Sequence, residues 1–521
     1  MIDKNAESGV QRPRKRWRKT KWFYGIVLAY LAVTIVAGIW WSAYSHRKFN
    51  EAVDPIIARG EPLAWSDFAT DPIPDDQNAA ILYRQAVETP LLKNHESLSE
   101  GKLLAVADTR GNELMDMLED FVREPEVRRE HPQDVRELLK MAADVFTLCR
   151  KARRLDKADW GIDFDRIAIG FTGPPGLWLY RDIAYLLSLA AIEAHESGHD
   201  DEAIEYLRDG VAMSDSLAMM PSTLTYLTSI GTLAIVNKPL EVILPDLKIG
   251  DAPGSVRPEN LRGLMSELLD TGPSSQGVTL AMMGVRSEGY EISRRVLSSD
   301  MSAGQINADS VDGFYGGVSR SDGVLVRWCF DSLMAPVLRL DAAWGVRHSD
   351  EFVRVSIAGT APEFRRGILP AQRDAAERLE GNMLLKPLSS LFAPSLDRVY
   401  VYHYGILASR RMSAAAIAVR MYQVDHGRRP ETLGDLVPDY LAEVPQDPMD
   451  EPGRTIRYAN DPDMPRIYSV GADGADDGGS YDDLGDYEQD PKELLFFLSG
   501  RPKRPREKSD ADTEDNDDSD R

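Results

Sequence analysis

The chain has 521 residues, of which 43% are apolar and 28% charged, and a net charge of −23. That length supports several domains with a sizeable core, and the composition excludes a multi-span carrier. The charge is unevenly divided: residues 1–48 hold ten Lys/Arg against two Asp/Glu, and the remainder is strongly acidic, so nucleic acid is not expected as a partner of the main body.

The first predicted element is a membrane span. Trp22 to Tyr44 contains no charged residue. As a helix it is about 34 Å long, enough for a hydrocarbon core of about 30 Å. Trp22, Phe23 and Tyr24 mark one end and Trp40, Trp41 and Tyr44 the other, where amphipathic rings suit the headgroup layers. Arg12, Arg14, Lys15, Arg16, Arg18, Lys19 and Lys21 precede it, which predicts that residues 1–21 stay in the cytoplasm and the bulk lies outside the inner membrane. The rival is a cleaved signal peptide with a weak small-x-small site at Ala43-Tyr44-Ser45. The apolar run is longer than a signal peptide needs. A polar linker is expected over 45–75.

From 76 to 392 the apolar spacing predicts a helical domain. Val135, Leu138, Met141, Ala142, Val145, Phe146 and Cys149 form one stripe. Within 186–215, Leu187, Ala191, Gly198, Ala203, Leu207 and Gly210 occupy the small and apolar positions of a helical hairpin, and the segment resembles a single tetratricopeptide repeat. The same stretch contains His195-Glu196-Ser197-Gly198-His199, a literal H-E-x-x-H. On a continuous helix His195 and His199 would hold zinc while Glu196 activates a metal-bound water. Gly198 followed by Asp200 and Asp201 reads instead as a helix end and the next N-cap. A polar interhelical turn is therefore favoured, with a membrane-tethered zinc hydrolase as the alternative.

A further helix is predicted from about Leu396 to His426, ended by Gly427. Strands are predicted near 455–459 and 466–470 from Ile456, Tyr458, Ile467, Tyr468 and Val470. An ordered series then runs through Tyr422, Asp425-His426-Gly427-Arg428, Pro430, Leu433, Leu436-Val437-Pro438, Tyr440-Leu441, Val444-Pro445, Asp447-Pro448, Tyr458 and Tyr468-Ser469-Val470-Gly471-Ala472-Asp473-Gly474. This series resembles the soluble part of type II secretion major pseudopilins, the G-type subunit, over about 65 residues. The resemblance implies a long helix packed on a small antiparallel sheet, here a module over 393–490. The pseudopilin cleavage signal and early Glu are absent from the anchor, so polymerisation is not implied. The layout also resembles uncharacterised bacterial envelope proteins ending in this module.

The loop after Tyr468 holds Asp473, Asp476, Asp477, Asp482, Asp483 and Asp486 with no basic residue among them. Crowded carboxylates are relieved by a hard cation or by water. The pseudopilin resemblance implies calcium, with Asp473 as one ligand and Asp482 as a second; a solvated acidic loop closed by turn hydrogen bonds is the alternative. Residues 491–521 are expected to be a mostly disordered acidic tail. Cys149 and Cys329 could pair in an oxidising compartment, or remain buried thiols. The resulting expectation is a mainly α, non-enzymatic envelope scaffold, anchored in the lipid bilayer and binding other envelope proteins.

Overall fold

The computed structural model describes residues 14–93, 114–164, 173–298, 335–379, 396–480 and 493–500. It is mainly helical, with one long apolar N-terminal helix and a three-stranded antiparallel sheet after a long helix. The principal helices in chain order are α1 (Arg14–Ala58), α2 (Ala79–Val87), α3 (Leu114–Arg123), α4 (Pro132–Met141) and α5 (Ala143–Ala152). They continue with α6 (Leu179–Glu196), α7 (Asp200–Ala218), α8 (Thr223–Ile243), α9 (Pro258–Leu269) and α10 (Gly272–Ser298). The last are α11 (Ala335–Val355), α12 (Ala361–Leu379) and α13 (Asp397–His426). The chain forms two compact units. One comprises Met1–Asp67, Arg286–Asp350 and Asp374–Pro394; the other comprises Phe68–Val285, Glu351–Arg373 and Ser395–Arg521.

In the first unit, α1 does not stop at the end of the apolar run. The linker expected from residue 45 begins as 14 further residues of helix, to Ala58. The reason lies in its spacing. Phe49, Ala52, Val53 and Ile56 recur on one face, and Ala52, Val53 and Ile56 pack with Leu63, Ala343 and Val346. Phe49 stacks on Tyr290 with ring centroids 6.1 Å apart. Pro55 falls in the last turn, where its missing N–H costs one hydrogen bond only. Below this contact Arg286, fully buried, donates to Glu61 (2.7 Å), Asp350 (2.5 Å) and the Pro62 carbonyl (2.8 Å). Arg59 donates to the same Asp350 at 2.6 Å.

The second unit is built around α6. Tyr180, Ile183 to Leu187, Leu189 and Ala190 to Ile192 are all buried, the pattern of a helix covered on every side. Its neighbours are α3, α7 and α8. The expected hairpin is present: α6 ends at Glu196, Gly198 takes the left-handed conformation (φ 78°), and α7 starts at Asp200. Gly210 permits close approach of α7 to α8, since a Cβ there would stand 2.5 Å from Val236 Cγ2. Alanine in mid-helix is ordinarily favoured over glycine by about 1 kcal/mol. Gly210→Ala is nonetheless expected to destabilise the protein by about 1–2 kcal/mol, because the added methyl overpacks this crossing. Urea unfolding checks this, and Val236→Ala in the same chain should recover most of the loss.

The long C-terminal helix runs as expected, with Gly427 (φ 70°) at its left-handed C-cap. Ser413 to Val419 are all buried. One side of α13 packs on α8 and α9 and another on the sheet. Its Ala414 to Val419 belong to the same apolar core as α5 to α9. The helix that the pseudopilin resemblance marks out is thus a core element of the helical unit.

Strands β1 (Arg457–Ala459) and β2 (Arg466–Val470) lie where expected, pairing Arg457 with Tyr468 and Ala459 with Arg466. A third strand, β3 (Glu493–Phe497), lies beyond the expected module boundary at 490 and pairs with the other edge of β2, Val470 opposite Glu493. It orders the start of a segment expected to be tail. Its five residues bury Leu495, Phe496 and Phe497, which supplies the apolar area that the residues after 500 lack.

Candidate functional site

The acidic loop after β2 is held by side chains from three places. Asp447 is buried and accepts from Ser469 Oγ (2.6 Å), Met449 N (3.0 Å), Val470 N (3.1 Å) and Arg457 Nη1 (3.1 Å). Arg457, on β1, also donates to Asp450 at 2.5 Å and to Asp476 at 2.6 Å. One guanidinium therefore stands among three carboxylates. Glu493, at the start of β3, accepts from the backbone N–H of Asp477 and of Ser480, each at 2.9 Å. Arg466 donates to the Gly479 carbonyl at 2.5 Å.

This arrangement bears on the calcium expectation. Asp473 is exposed and closes a turn, Oδ1 accepting from Ala475 N at 3.0 Å. Asp482, the expected second ligand, lies outside the described residues, as do Asp483 and Asp486. Among the described residues no group of three or more His, Cys, Asp or Glu is placed to hold a metal. Arg457 already supplies positive charge at the centre of Asp447, Asp450 and Asp476. Arg457→Gln leaves Asp447 and its neighbours without that charge and should destabilise the protein by about 3 kcal/mol. Differential scanning fluorimetry with calcium or chelator checks both readings. A rise of the wild-type midpoint with calcium, abolished by Asp473→Ala, would show that a cation joins the guanidinium.

The H-E-x-x-H segment does not form the continuous helix that zinc binding requires. The chain turns at Gly198, and His199 is the N-cap of the next helix. Both ring nitrogens of His195 face carboxylates, Nδ1 toward Asp200 (2.6 Å) and Nε2 toward Asp246 (3.0 Å). Glu196 pairs with Arg128 at 3.1 Å. The turn is clasped by a loop: Asp200 N donates to the Gly254 carbonyl at 2.8 Å, and Asp200 Oδ2 accepts from Lys248 N at 2.9 Å. These polar residues hold a turn in place, so the structure does not bring His195, Glu196 and His199 together as a catalytic set.

Beside that hairpin, α4 to α7 enclose an open groove of about 850 Å³. Leu139, Phe146, Ala190 and Tyr206 line its apolar part, Lys151 and Arg154 one side, and Glu193 another. Burial, and then the nearby Glu196, raise the Glu193 carboxyl above its ordinary range. Beneath the groove Arg150 and Arg153 both donate to the buried Asp209, at 2.5 and 2.7 Å. Burial pushes Asp209 up to about 6 against the pull of these two guanidiniums. Arg153 also pairs with Glu205, and Arg208 forks onto Glu267 of α9.

Sequence reasoning named none of Arg457, Glu493, Lys151 or Arg154. The first two act across strand pairings, one of them with a strand that was not placed. The last two follow the apolar stripe of α5, and only the packing of α6 and α7 shows that they rim a groove. No family model matches this sequence, and no curated protein or solved structure matches it.

Proposed function

We propose that this chain is a membrane-anchored envelope scaffold that holds another protein by a segment laid in the α4–α7 groove. The observation that carries this is the groove itself: an apolar floor with Lys151 and Arg154 on its rim, neither bound to a carboxylate among the described residues. A segment with apolar side chains and an acidic flank would bury area on the floor and meet those cations at the edge. The charged residues below the groove are paired with one another and serve to fix its walls.

The uncleaved anchor has support of its own. Ser45 is fully buried and accepts a hydrogen bond from Arg339 at 3.3 Å. It lies inside a helix that runs on to Ala58. Cutting at Ala43-Tyr44-Ser45 would open that helix beside its packed end. The basic cluster before Trp22 orients the N-terminus to the cytoplasm. A phosphatase reporter fused after residue 521 is expected to be active, and activity of a cytoplasm-only reporter there would overturn the orientation. The scaffold reading is tested by placing a photocrosslinking amino acid at Thr147, exposed on the groove wall. Irradiated cells should yield a discrete adduct that Lys151→Glu/Arg154→Glu removes. No adduct at Thr147, or one unchanged by the charge reversal, would sink the reading.

A further inference from the structure

The walls of the α4–α7 groove differ in charge. Ala143, Thr147 and Lys151 recur every four residues along α5, with Arg154 just past its end. That wall runs for about 16 Å. Another wall is one face of α6, where Ala190, Glu193, Ala194 and Ser197 are spaced by three and four residues. The first wall ends in two cations, and the second carries a carboxylate.

The carboxylates around Glu193 already have partners. Glu196 pairs with Arg128 at 3.1 Å, Glu202 with Arg150 at 3.4 Å, and Glu205 with Arg153. Glu193 is half-buried on the groove face, and its carboxylate makes no ion pair or hydrogen bond among the described residues. Arg136 of α4 and Arg128 act on it, neither within ion-pair distance. Burial, and then Glu196, outweigh both arginines and hold this carboxyl above its ordinary range.

A segment laid in the groove removes the water that serves Glu193. An apolar or acidic side chain set over it would leave a charge buried and unpaired, which is strongly unfavourable. A lysine or arginine set there forms the pair that the described chain does not supply. We infer, on the groove-binding function proposed above, that Glu193 is a specificity-determining residue. It selects a segment that carries a Lys or Arg apart from its acidic flank. The two charges also fix direction. Laid the other way round, the segment would set its acid against Glu193 and its base against Lys151 and Arg154, and like charges would meet at both walls.

The test pans a random twelve-residue peptide library, displayed on phage, against the full chain in nanodiscs. The library is first depleted on the Lys151→Glu/Arg154→Glu chain. Enriched peptides should hold an acidic residue, an apolar stretch, and a Lys or Arg at a fixed separation from the acid. Replacing that base by Gln in the synthetic peptide should weaken binding to the unsubstituted chain about tenfold, and to Glu193→Gln by less than about twofold. Glu193→Lys should instead prefer the peptide with Glu at that position. Enriched peptides without a fixed base, or a base whose loss costs the same against Glu193→Gln, would overturn the inference and leave the groove function standing. A selection in which no peptide distinguishes the unsubstituted chain from the charge-reversed one would remove the groove function and this selectivity together.

Discussion

Arg410→Ala is expected to destabilise the helical unit by about 3–5 kcal/mol, enough to leave a marginal protein partly unfolded. Arg410 lies on α13 with no exposed side-chain surface. Its guanidinium forks onto Asp215 of α7 at 2.6 and 3.2 Å. The same group donates to the carbonyls of Glu267 (2.6 Å), Leu268 (3.0 Å) and Asp270 (2.7 Å). Those carbonyls close the C-terminal end of α9, where no intrahelical donor is available. Truncation strands a carboxylate and three acceptors at once. Urea denaturation followed by circular dichroism measures the loss. Arg410→Met combined with Asp215→Leu should recover a large part of it, since removing both charges abolishes the desolvation cost. A loss below about 1 kcal/mol would show that water replaces the guanidinium.

The second large effect is a pH dependence. His403 of α13 is buried, with Nδ1 2.5 Å from the Tyr226 hydroxyl, which donates in turn to the Ser274 carbonyl at 3.1 Å. Burial, and then the nearby Arg411, lower its pKa to about 3. In the unfolded chain an imidazole titrates near 6.5. The folded state therefore holds His403 neutral where the unfolded state takes up a proton. This contribution to stability is complete above about pH 6.5 and is lost progressively as pH falls toward 3. Between pH 7 and pH 4 the loss should reach about 3 kcal/mol. His403→Gln keeps a polar partner for Tyr226 and removes the titration. Its stability should fall by about 3 kcal/mol less than wild type over that interval. Parallel curves for the two proteins would show that His403 is not the group being protonated.

Much of this fold is written locally. The uncharged run from Trp22, the alanine-rich core of α13 with Gly427 behind it, and the alternation in Arg466 to Val470 each announce their element within a short window. The glycine between Glu196 and Asp200 likewise announces a turn and so argues against a zinc helix. What stayed hidden depends on distance along the chain. Arg286 meets Glu61 across 225 positions, and Arg410 meets Asp215 across 195. Nothing near either arginine marks it as buried. β3 was missed because Glu493-Leu-Leu-Phe-Phe is too short to separate from a helix fragment by periodicity. The fate of α13 escaped for a related reason: an apolar helix does not say whether its cover is a small sheet or a whole helical unit. The candidate site suffered most, since Arg457 enters the acidic loop only through strand pairing.

The continuity of α1 has a mechanical consequence. Fourteen residues of helix past Tyr44 extend it by about 21 Å, and Phe49, Ala52, Val53 and Ile56 seat that stretch in the first unit. On the anchored reading proposed above, such a rod has no swivel between its bilayer segment and the part it carries. A membrane thinner or thicker than the apolar run is met by tilting the span, and the seated end must lean through the same angle. The first unit would then behave as the head of a rigid lever, its attitude set by local bilayer thickness.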